Sequence, residues 1–163
     1  MTIQVFEHKD LSNLDAFVGC RTFKAPLHTT RGELVPDYYA LANQHGEPLP
    51  ARPVSKSYKL VSHLEMFQQQ ADQLADSSLP TANVSVKDTV LDGGLRATRE
   101  VHFDDVRLDM PCGRLTDPMV ARMDTINSVD MSWAFQAFAG AYRSYCRNTQ
   151  VFGGEKVYHA KRK

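Results

Sequence analysis

The residues of this chain best suited to chemistry are four carboxylates that follow a predicted strand, namely Glu100, Asp104, Asp105 and Asp109. Carboxylates gathered near the end of a strand can hold Mg²⁺, which nucleases use to cleave phosphodiesters. The four side chains would have to converge in space, and an ordinary acidic turn accounts for the same residues. A magnesium-dependent nuclease is therefore one interpretation, and we assign no metal ligand, cofactor or catalytic residue from it.

Other catalytic motifs are incomplete in the sequence. The six histidines never fall four residues apart on a predicted helix, and none pairs with a cysteine at zinc-site spacing. The three cysteines are too scattered for a disulfide framework. The pairs Gly93-Gly94 and Gly153-Gly154 lack the spacing and following lysine of a phosphate-binding loop. The sequence therefore predicts a protein that is not an enzyme.

A basic C-terminal region is the clearest electrostatic feature. The 19 basic and 19 acidic residues balance overall. Between residues 131 and 163, however, six basic residues face one acid, Glu155, which gives a local charge of +5. Such a surface can bind polyanions even on a neutral protein, although a solvated tail has the same composition. The candidate nucleic-acid-binding residues are Arg143, Arg147, Lys156, Lys161, Arg162 and Lys163.

Aromatic residues accompany these cations. Unpaired bases stack on exposed aromatic rings, and lysine and arginine neutralise the phosphates between them. The partner that fits this combination is single-stranded DNA, although the same rings are equally explained as core. The aromatic residues concerned are Trp133, Tyr142, Tyr145, Phe152 and Tyr158.

Length and composition predict one domain over residues 1–163, because 42% apolar residues are enough for a core of its own. The first residues have no basic start and no long apolar run, so no signal peptide is predicted. No stretch approaches the length of a membrane span. These features predict a cytoplasmic protein without a membrane partner.

One helix is clearly indicated over residues 62–76. Ser62 and Glu65 form a capping box, in which each side chain satisfies a backbone amide of the first turn. Leu64, Phe67 and Leu74 then follow at helical spacing.

A hairpin is predicted next, with strands over residues 84–90 and 95–103. Asp92-Gly93-Gly94 lies between the strands, and its glycines can adopt the positive φ of a tight turn. The apolar residues fall on one parity of each strand. The other parity is polar and is expected to face water or a ligand. Its members are Ser85, Lys87, Thr98, Glu100 and His102.

A second helix is predicted over residues 130–147, capped by Ser128 or Asp130, with an apolar stripe that includes Phe135 and Phe138. Residues 54–61 alternate as a further strand. The predicted fold class is α+β, with an antiparallel sheet of four to six strands and two principal helices packed on one face.

A family resemblance is carried by residues 127–159. Asn127-Ser128-Val129-Asp130, then Arg143-x-x-Cys146-x-Asn148, then His159 resemble the phage- and plasmid-borne family catalogued as domain of unknown function 932. That family usually has glycine where Met131 stands and keeps the serine found at Ser132. The likeness covers residues 52–159 and implies a mobile element, residence in the host cytoplasm if phage-encoded, and a part in phage DNA metabolism or recombination.

Two function classes follow. In the first, a phage- or plasmid-encoded protein binds or anneals single-stranded DNA without catalysis, as a possible homo-oligomer. This class predicts binding that weakens steeply with added salt. In the second, the domain is an interaction or assembly module of a phage that does not bind nucleic acid. This class predicts a defined oligomer and no salt-sensitive DNA binding.

Overall fold

The computed structural model of the chain describes residues 2–112, 115–142 and 151–160, with side chains described for residues 2–107 and 119–141. Within these ranges the chain forms two α-helices, α1 (Asp15–Val18) and α2 (His63–Ala75), and a 3₁₀ turn at Asp92–Gly94. The strands are β1 (Ile3–His8), β2 (Thr22–His28), β3 (Leu34–Asn43), β4 (Val54–Ser55), β5 (Val84–Leu91), β6 (Arg96–Cys112), β7 (Leu115–Ser128), β8 (Phe135–Tyr142) and β9 (Val151–Ala160).

Six strands form one sheet in the order β1-β5-β6-β7-β8-β9, and every neighbouring pair is antiparallel. The predicted hairpin is confirmed as β5 and β6, with Val86 opposite Val101 and Lys87 opposite Glu100. Gly93 and Gly94 take φ values of 67° and 94° in the turn. A residue with a Cβ rarely adopts such values, so the glycines permit this turn.

The core lies between one face of this sheet and the two helices. Successive residues of β5, and of β6 as far as Phe103, alternate between buried and partly exposed positions, as a strand with one covered face requires. Most of the buried positions hold valine or alanine. Phe17 of α1 stacks on Phe67 of α2 with ring centroids 4.5 Å apart, and both pack against Val90 and Ala97. Both helices therefore cover the same face of the sheet, although α1 is not the second principal helix that the sequence predicted.

Helix α2 confirms the prediction for residues 62–76. The hydroxyl of Ser62 accepts a hydrogen bond of 3.1 Å from the amide of Glu65, which closes the first turn. The helix then buries Phe67, Ala71 and Leu74, the apolar positions expected from its spacing. The helix ends at Ala75, with Asp76 as its C-cap.

The helix predicted over residues 130–147 is wrong where the structure describes it. Residues 135–142 form strand β8, which pairs with β7. Alternate residues Ala137 and Ala141 are buried against the core side, while Phe138 and Gly140 lie on the other face. The apolar residues of this segment fit both the two-residue period of a strand and the 3.6-residue period of a helix. Pairing with the long strand β7 decides in favour of the strand. Residues 143–147 lie outside the described ranges.

The strand predicted over residues 54–61 is also mostly wrong. Only Val54–Ser55 is extended, as the third strand of a small sheet with the order β2-β3-β4. The ammonium group of Lys24 donates to the carbonyl oxygens of Ser55, Lys56 and Tyr58. These carbonyls therefore turn toward a side chain instead of a neighbouring strand, and the ladder stops.

Fold class is correct only at the coarse level. Sheet and helix occur together, but the described chain is mainly β, with one principal helix and more strands than the four to six predicted.

Candidate nucleic-acid interface

The face of the six-stranded sheet opposite the helices, which we call the open face, carries the polar residues that the sequence predicted there. Its described side chains on β5 to β8 keep part of their surface exposed. Two rows cross the strands in register. One row is Lys87, Glu100, Asp124 and Phe138, and the next is Ser85, His102, Arg122 and Gly140.

Charged residues of opposite sign meet at the centre of the open face. Glu100 lies 3.7 Å from the ammonium of Lys87 and 3.2 Å from the guanidinium of Arg122. Arg122 also donates a hydrogen bond of 2.5 Å to Asp124. His102 lies 4.0 Å from Glu100. We call these five residues the charged grid; two of them are carboxylates, two are cations, and one is a histidine.

The pKa values of the two carboxylates of the charged grid are shifted in opposite directions. A hydrogen bond from His102, helped by the charges of Arg122 and Lys87, lowers the pKa of Glu100 below its usual range. Burial raises the pKa of Asp124, against the opposing contact with Arg122. Glu100 is therefore held ionised among cations, an environment that suits an anion and not a metal ion.

The four carboxylates considered as an alternative magnesium site are not gathered where the structure describes them. Asp104 accepts a hydrogen bond from the hydroxyl of Ser85 at 2.7 Å, and Asp105 accepts one from Asn83 at 3.2 Å. The side chain of Asp109 lies outside the described residues. Within the described part of the chain, no three His, Cys, Asp or Glu side chains are placed to hold a metal ion.

The motif Asn127-Ser128-Val129-Asp130 builds a turn between β7 and β8 instead of starting a helix. The hydroxyl of Ser128 donates to the carbonyl of Trp133 at 3.0 Å and accepts from its amide at 2.9 Å. Asp130 accepts a hydrogen bond from the amide of Ser132 at 2.9 Å. The run of short polar side chains is itself a turn signal, because these side chains bond to nearby backbone.

Arg96, at the start of β6, lies over this turn. Its guanidinium is 5.2 Å from the ring centroid of Trp133 and donates to the hydroxyl of Ser132 at 2.8 Å. It also lies 3.3 Å from the carboxylate of Asp92 and 3.9 Å from that of Asp130. We call this group of five residues the corner. A guanidinium lying over an indole at the ends of the strands gives a cation–π pair suited to an aromatic ligand. Periodicity placed Trp133 in a helix, so sequence reasoning missed Arg96 as its partner.

A buried histidine holds the corner to the rest of the fold. His63 is 0% exposed, and its Nε2 lies 2.9 Å from the carbonyl of Gly94. Its Nδ1 lies 3.0 Å from the side-chain amide of Asn127. A neutral ring satisfies both contacts, with Nε2–H donating and Nδ1 accepting. Burial lowers the pKa of His63 to about 4. His63 is therefore a structural residue that fixes the end of β7.

The predicted DNA-binding cations fall almost entirely outside the described residues. Arg143, Arg147, Lys161, Arg162 and Lys163 lie outside them, and Lys156 is on β9 without a described side chain. The backbone of β9 is placed, however, with Ala160 opposite Phe135 and His159 opposite Gln136. Strand β9 thus ends at the same end of the sheet as the corner.

Comparisons with known proteins found no matching family model, no matching curated protein and no matching solved structure. None of the helices in the described ranges has the length and apolar character needed to cross a membrane.

Proposed function

We propose that the protein binds single-stranded DNA without catalysis, with the strand lying across the open face and passing over the corner. The observation that carries this proposal is the cation–π pair of Arg96 and Trp133 at the end of the sheet where β9 finishes. The basic run Lys161-Arg162-Lys163 follows β9 directly in the sequence. Aromatic platforms beside basic segments are the usual means of binding single strands.

The charged grid supplies phosphate contacts in the middle of the open face. Lys87 and Arg122 are both partly exposed, and both are held toward Glu100. A phosphate approaching from solvent carries the same charge as Glu100 and can share the two cations with it. Phe138, in the same row, offers a second ring for a base.

Phage or plasmid DNA metabolism is the biological setting that the family resemblance suggests for this activity. In that setting the protein protects or anneals single strands in the cytoplasm of the host, and several copies assemble on one strand.

The only tryptophan of the chain provides a direct assay. We expect unlabelled oligo-dT to quench the fluorescence of Trp133, and labelled oligo-dT to gain anisotropy over the same concentration range. Binding should weaken strongly between low and moderate salt, because counterions are released when cations neutralise phosphates. A duplex of equal length should bind less well, since its bases cannot stack on the corner.

Two charge-matched variants test where the strand binds. Arg143→Ala/Arg147→Ala should weaken binding and flatten its salt dependence, and Trp133→Ala should weaken binding with the salt dependence kept. Arg31→Ala/Arg52→Ala removes the same charge from two exposed positions and should change little. Equal losses from both double variants would show only a general charge effect and would contradict the proposed interface.

An assembly module is the second candidate, and the edge strand β1 favours it. Ile3 and Val5 are 56% and 51% exposed, and Phe6 is 39% exposed, on a strand whose outer side has no partner among the described residues. Exposed apolar edges invite pairing between chains. A defined oligomer in sedimentation velocity, dissociated by Val5→Lys, together with no binding to either DNA probe, would make this candidate the working account.

A further inference from the structure

A ring, a carboxylate, a cation and a position without a side chain lie together on the open face. In the pairing of β7 with β8, Asp124 is directly opposite Phe138, and Arg122 is directly opposite Gly140. Side chains opposite each other in antiparallel strands have Cβ atoms about 4.5–5.5 Å apart. Phe138 is partly exposed, and Gly140 leaves the place beside its ring unfilled by β8. We call this position the Phe138 slot.

Only one oxygen of the Asp124 carboxylate is used by the described residues. Oδ1 accepts the hydrogen bond from Arg122, while Oδ2 receives none from any described residue. The side chain of Asp124 is 21% exposed, so a ligand can reach it from the open face. An ionised carboxylate is purely an acceptor. It therefore favours a ligand edge that carries N–H donors and disfavours one that carries carbonyl oxygens.

Guanine and thymine differ strongly in this respect. Guanine presents N1–H and N2–H₂ side by side on its Watson–Crick edge. Thymine presents a single N3–H between two carbonyl oxygens, which a carboxylate repels. A purine also covers more of an aromatic ring than a pyrimidine does, so both stacking on Phe138 and pairing with Asp124 favour guanine over thymine.

We propose that the Phe138 slot binds an unpaired guanine, stacked on Phe138 with its Watson–Crick edge on the carboxylate of Asp124. Arg122 holds that carboxylate in place and lies beside the phosphate of the same nucleotide. This inference rests on the proposed single-strand binding and adds a base preference to it. The open face then distinguishes sequences, while the corner and the basic region do not.

The test compares three oligonucleotides that differ at one base. Each has a dT background with a central dG, a central deoxyinosine or a central dT. We expect the affinity to be greatest for dG and lowest for dT, by about tenfold between the two, the range of a paired hydrogen-bond contact. Deoxyinosine lacks the N2 amine and should fall between them. Quenching of Trp133 and anisotropy of a labelled end report the binding.

Two variants assign the preference to the slot. Asp124→Asn should bring the three affinities together, because an amide no longer repels the thymine carbonyls. Gly140→Val adds a branched side chain beside Phe138 on β8, is suited to a strand, and should have the same effect. Asp104→Asn makes the same chemical change elsewhere on the open face and should keep the order. Circular dichroism and thermal unfolding confirm that each variant is folded.

The outcomes separate this inference from the proposed function. Tight binding with equal affinity for all three oligonucleotides, or a preference for dG that survives Asp124→Asn, overturns the slot and leaves single-strand binding standing. Loss of all oligonucleotide binding overturns the proposed function. In that case guanosine and thymidine monophosphates are titrated by NMR: shifts at β7 and β8 amides for guanosine alone, abolished in Asp124→Asn, support the slot, and their absence overturns it.

Discussion

The carboxylate of Glu100 competes with a DNA phosphate for the two cations of the charged grid. Its carboxylate lies within salt-bridge distance of both Lys87 and Arg122, the residues that we propose for phosphate contacts. Partly exposed ion pairs of this kind contribute up to about 1 kcal/mol each. The free protein therefore already satisfies these cations, and a phosphate gains only the difference between itself and Glu100.

Removing that competitor should strengthen DNA binding. We expect Glu100→Gln to raise the affinity for oligo-dT by about fivefold and to make its salt dependence steeper, because Lys87 and Arg122 both lose the contact with Glu100, while Arg122 keeps its hydrogen bond to Asp124. Anisotropy titrations at two salt concentrations measure both effects. Glu33→Gln, the same change at an exposed position away from the open face, is the control. An unchanged or weaker affinity in Glu100→Gln would exclude the charged grid from the interface.

His63 makes stability depend on pH. Burial lowers its pKa from 6.5 to about 4, so the unfolded chain binds a proton in this interval more readily than the folded chain. Stability due to the neutral ring is therefore complete above pH 6.5 and falls as the pH is lowered toward 4, by about 1.4 kcal/mol per pH unit.

Urea denaturation at pH 7 and pH 5 measures this loss, which should reach about 2 kcal/mol for this residue. Glutamine keeps one donor and one acceptor for Gly94 and Asn127, so His63→Gln should lower stability at pH 7 but reduce the difference between the two pH values. Equal pH dependence in both proteins would mean that His63 is not the titrating group.

At the scale of elements, the turn between β7 and β8 contains a strained residue. Met131 has φ of 63° and is 52% exposed. Its side chain is therefore too exposed for burial to offset the free-energy cost of the left-handed backbone. Glycine is favoured at such a position, since a Cβ in this conformation costs about 1–2 kcal/mol.

We therefore expect Met131→Gly to raise the free energy of unfolding by about 1 kcal/mol. Met131→Ala removes the same side chain but keeps a Cβ, and should leave stability nearly unchanged. Chemical denaturation followed by circular dichroism compares the three proteins. A gain of equal size in the alanine variant would assign the effect to the loss of an exposed apolar side chain instead of the backbone.

Elements with strong local signals could be predicted from the sequence, and those decided by distant pairing could not. The capped helix α2 and the glycine turn between β5 and β6 carry their own information in a few residues. Strand β8 does not, because Ala137, Phe138 and Ala141 fit either period. Its state depends on β7, which pairs with it from Val120↔Tyr142 to Ile126↔Gln136. The polar face of β5 and β6 was predictable for the same local reason, whereas Arg122 and Asp124 joined it only through the register of β7.

At the scale of the whole molecule, an ion pair lies at the centre of the core. Arg99 and Asp88 are both 0% exposed and form two hydrogen bonds of 2.8 and 2.9 Å. Arg99 also donates to the carbonyl of Leu11 at 3.1 Å and lies 5.6 Å from the ring centroid of Phe17. His8 lies 3.0 Å from Asp88. One guanidinium thus ties β5, β6, α1 and the segment after β1 together.

Removing either member should be costly because the other becomes a buried, poorly compensated charge. We expect Arg99→Met to lower the free energy of unfolding by about 3–5 kcal/mol. The double variant Asp88→Leu/Arg99→Met, which removes both charges, should lose less than Arg99→Met alone. Urea denaturation of the three proteins checks this order, and a double variant less stable than the single one would show that Asp88 stabilises the fold without Arg99, through its contact with His8.

The sheet order has a consequence for how the chain reaches its folded state. Strands β5 to β9 neighbour one another in the order in which they are synthesised, so each can pair with its predecessor as it leaves the ribosome. Strand β1 is the exception, since Ile3 pairs with Leu91, near the far end of β5. Strand β1 therefore waits longer for its partner than the other described strands of this sheet, because contacts distant in sequence form late. Until β5 arrives, its apolar side chains are open to chaperones and to other nascent chains.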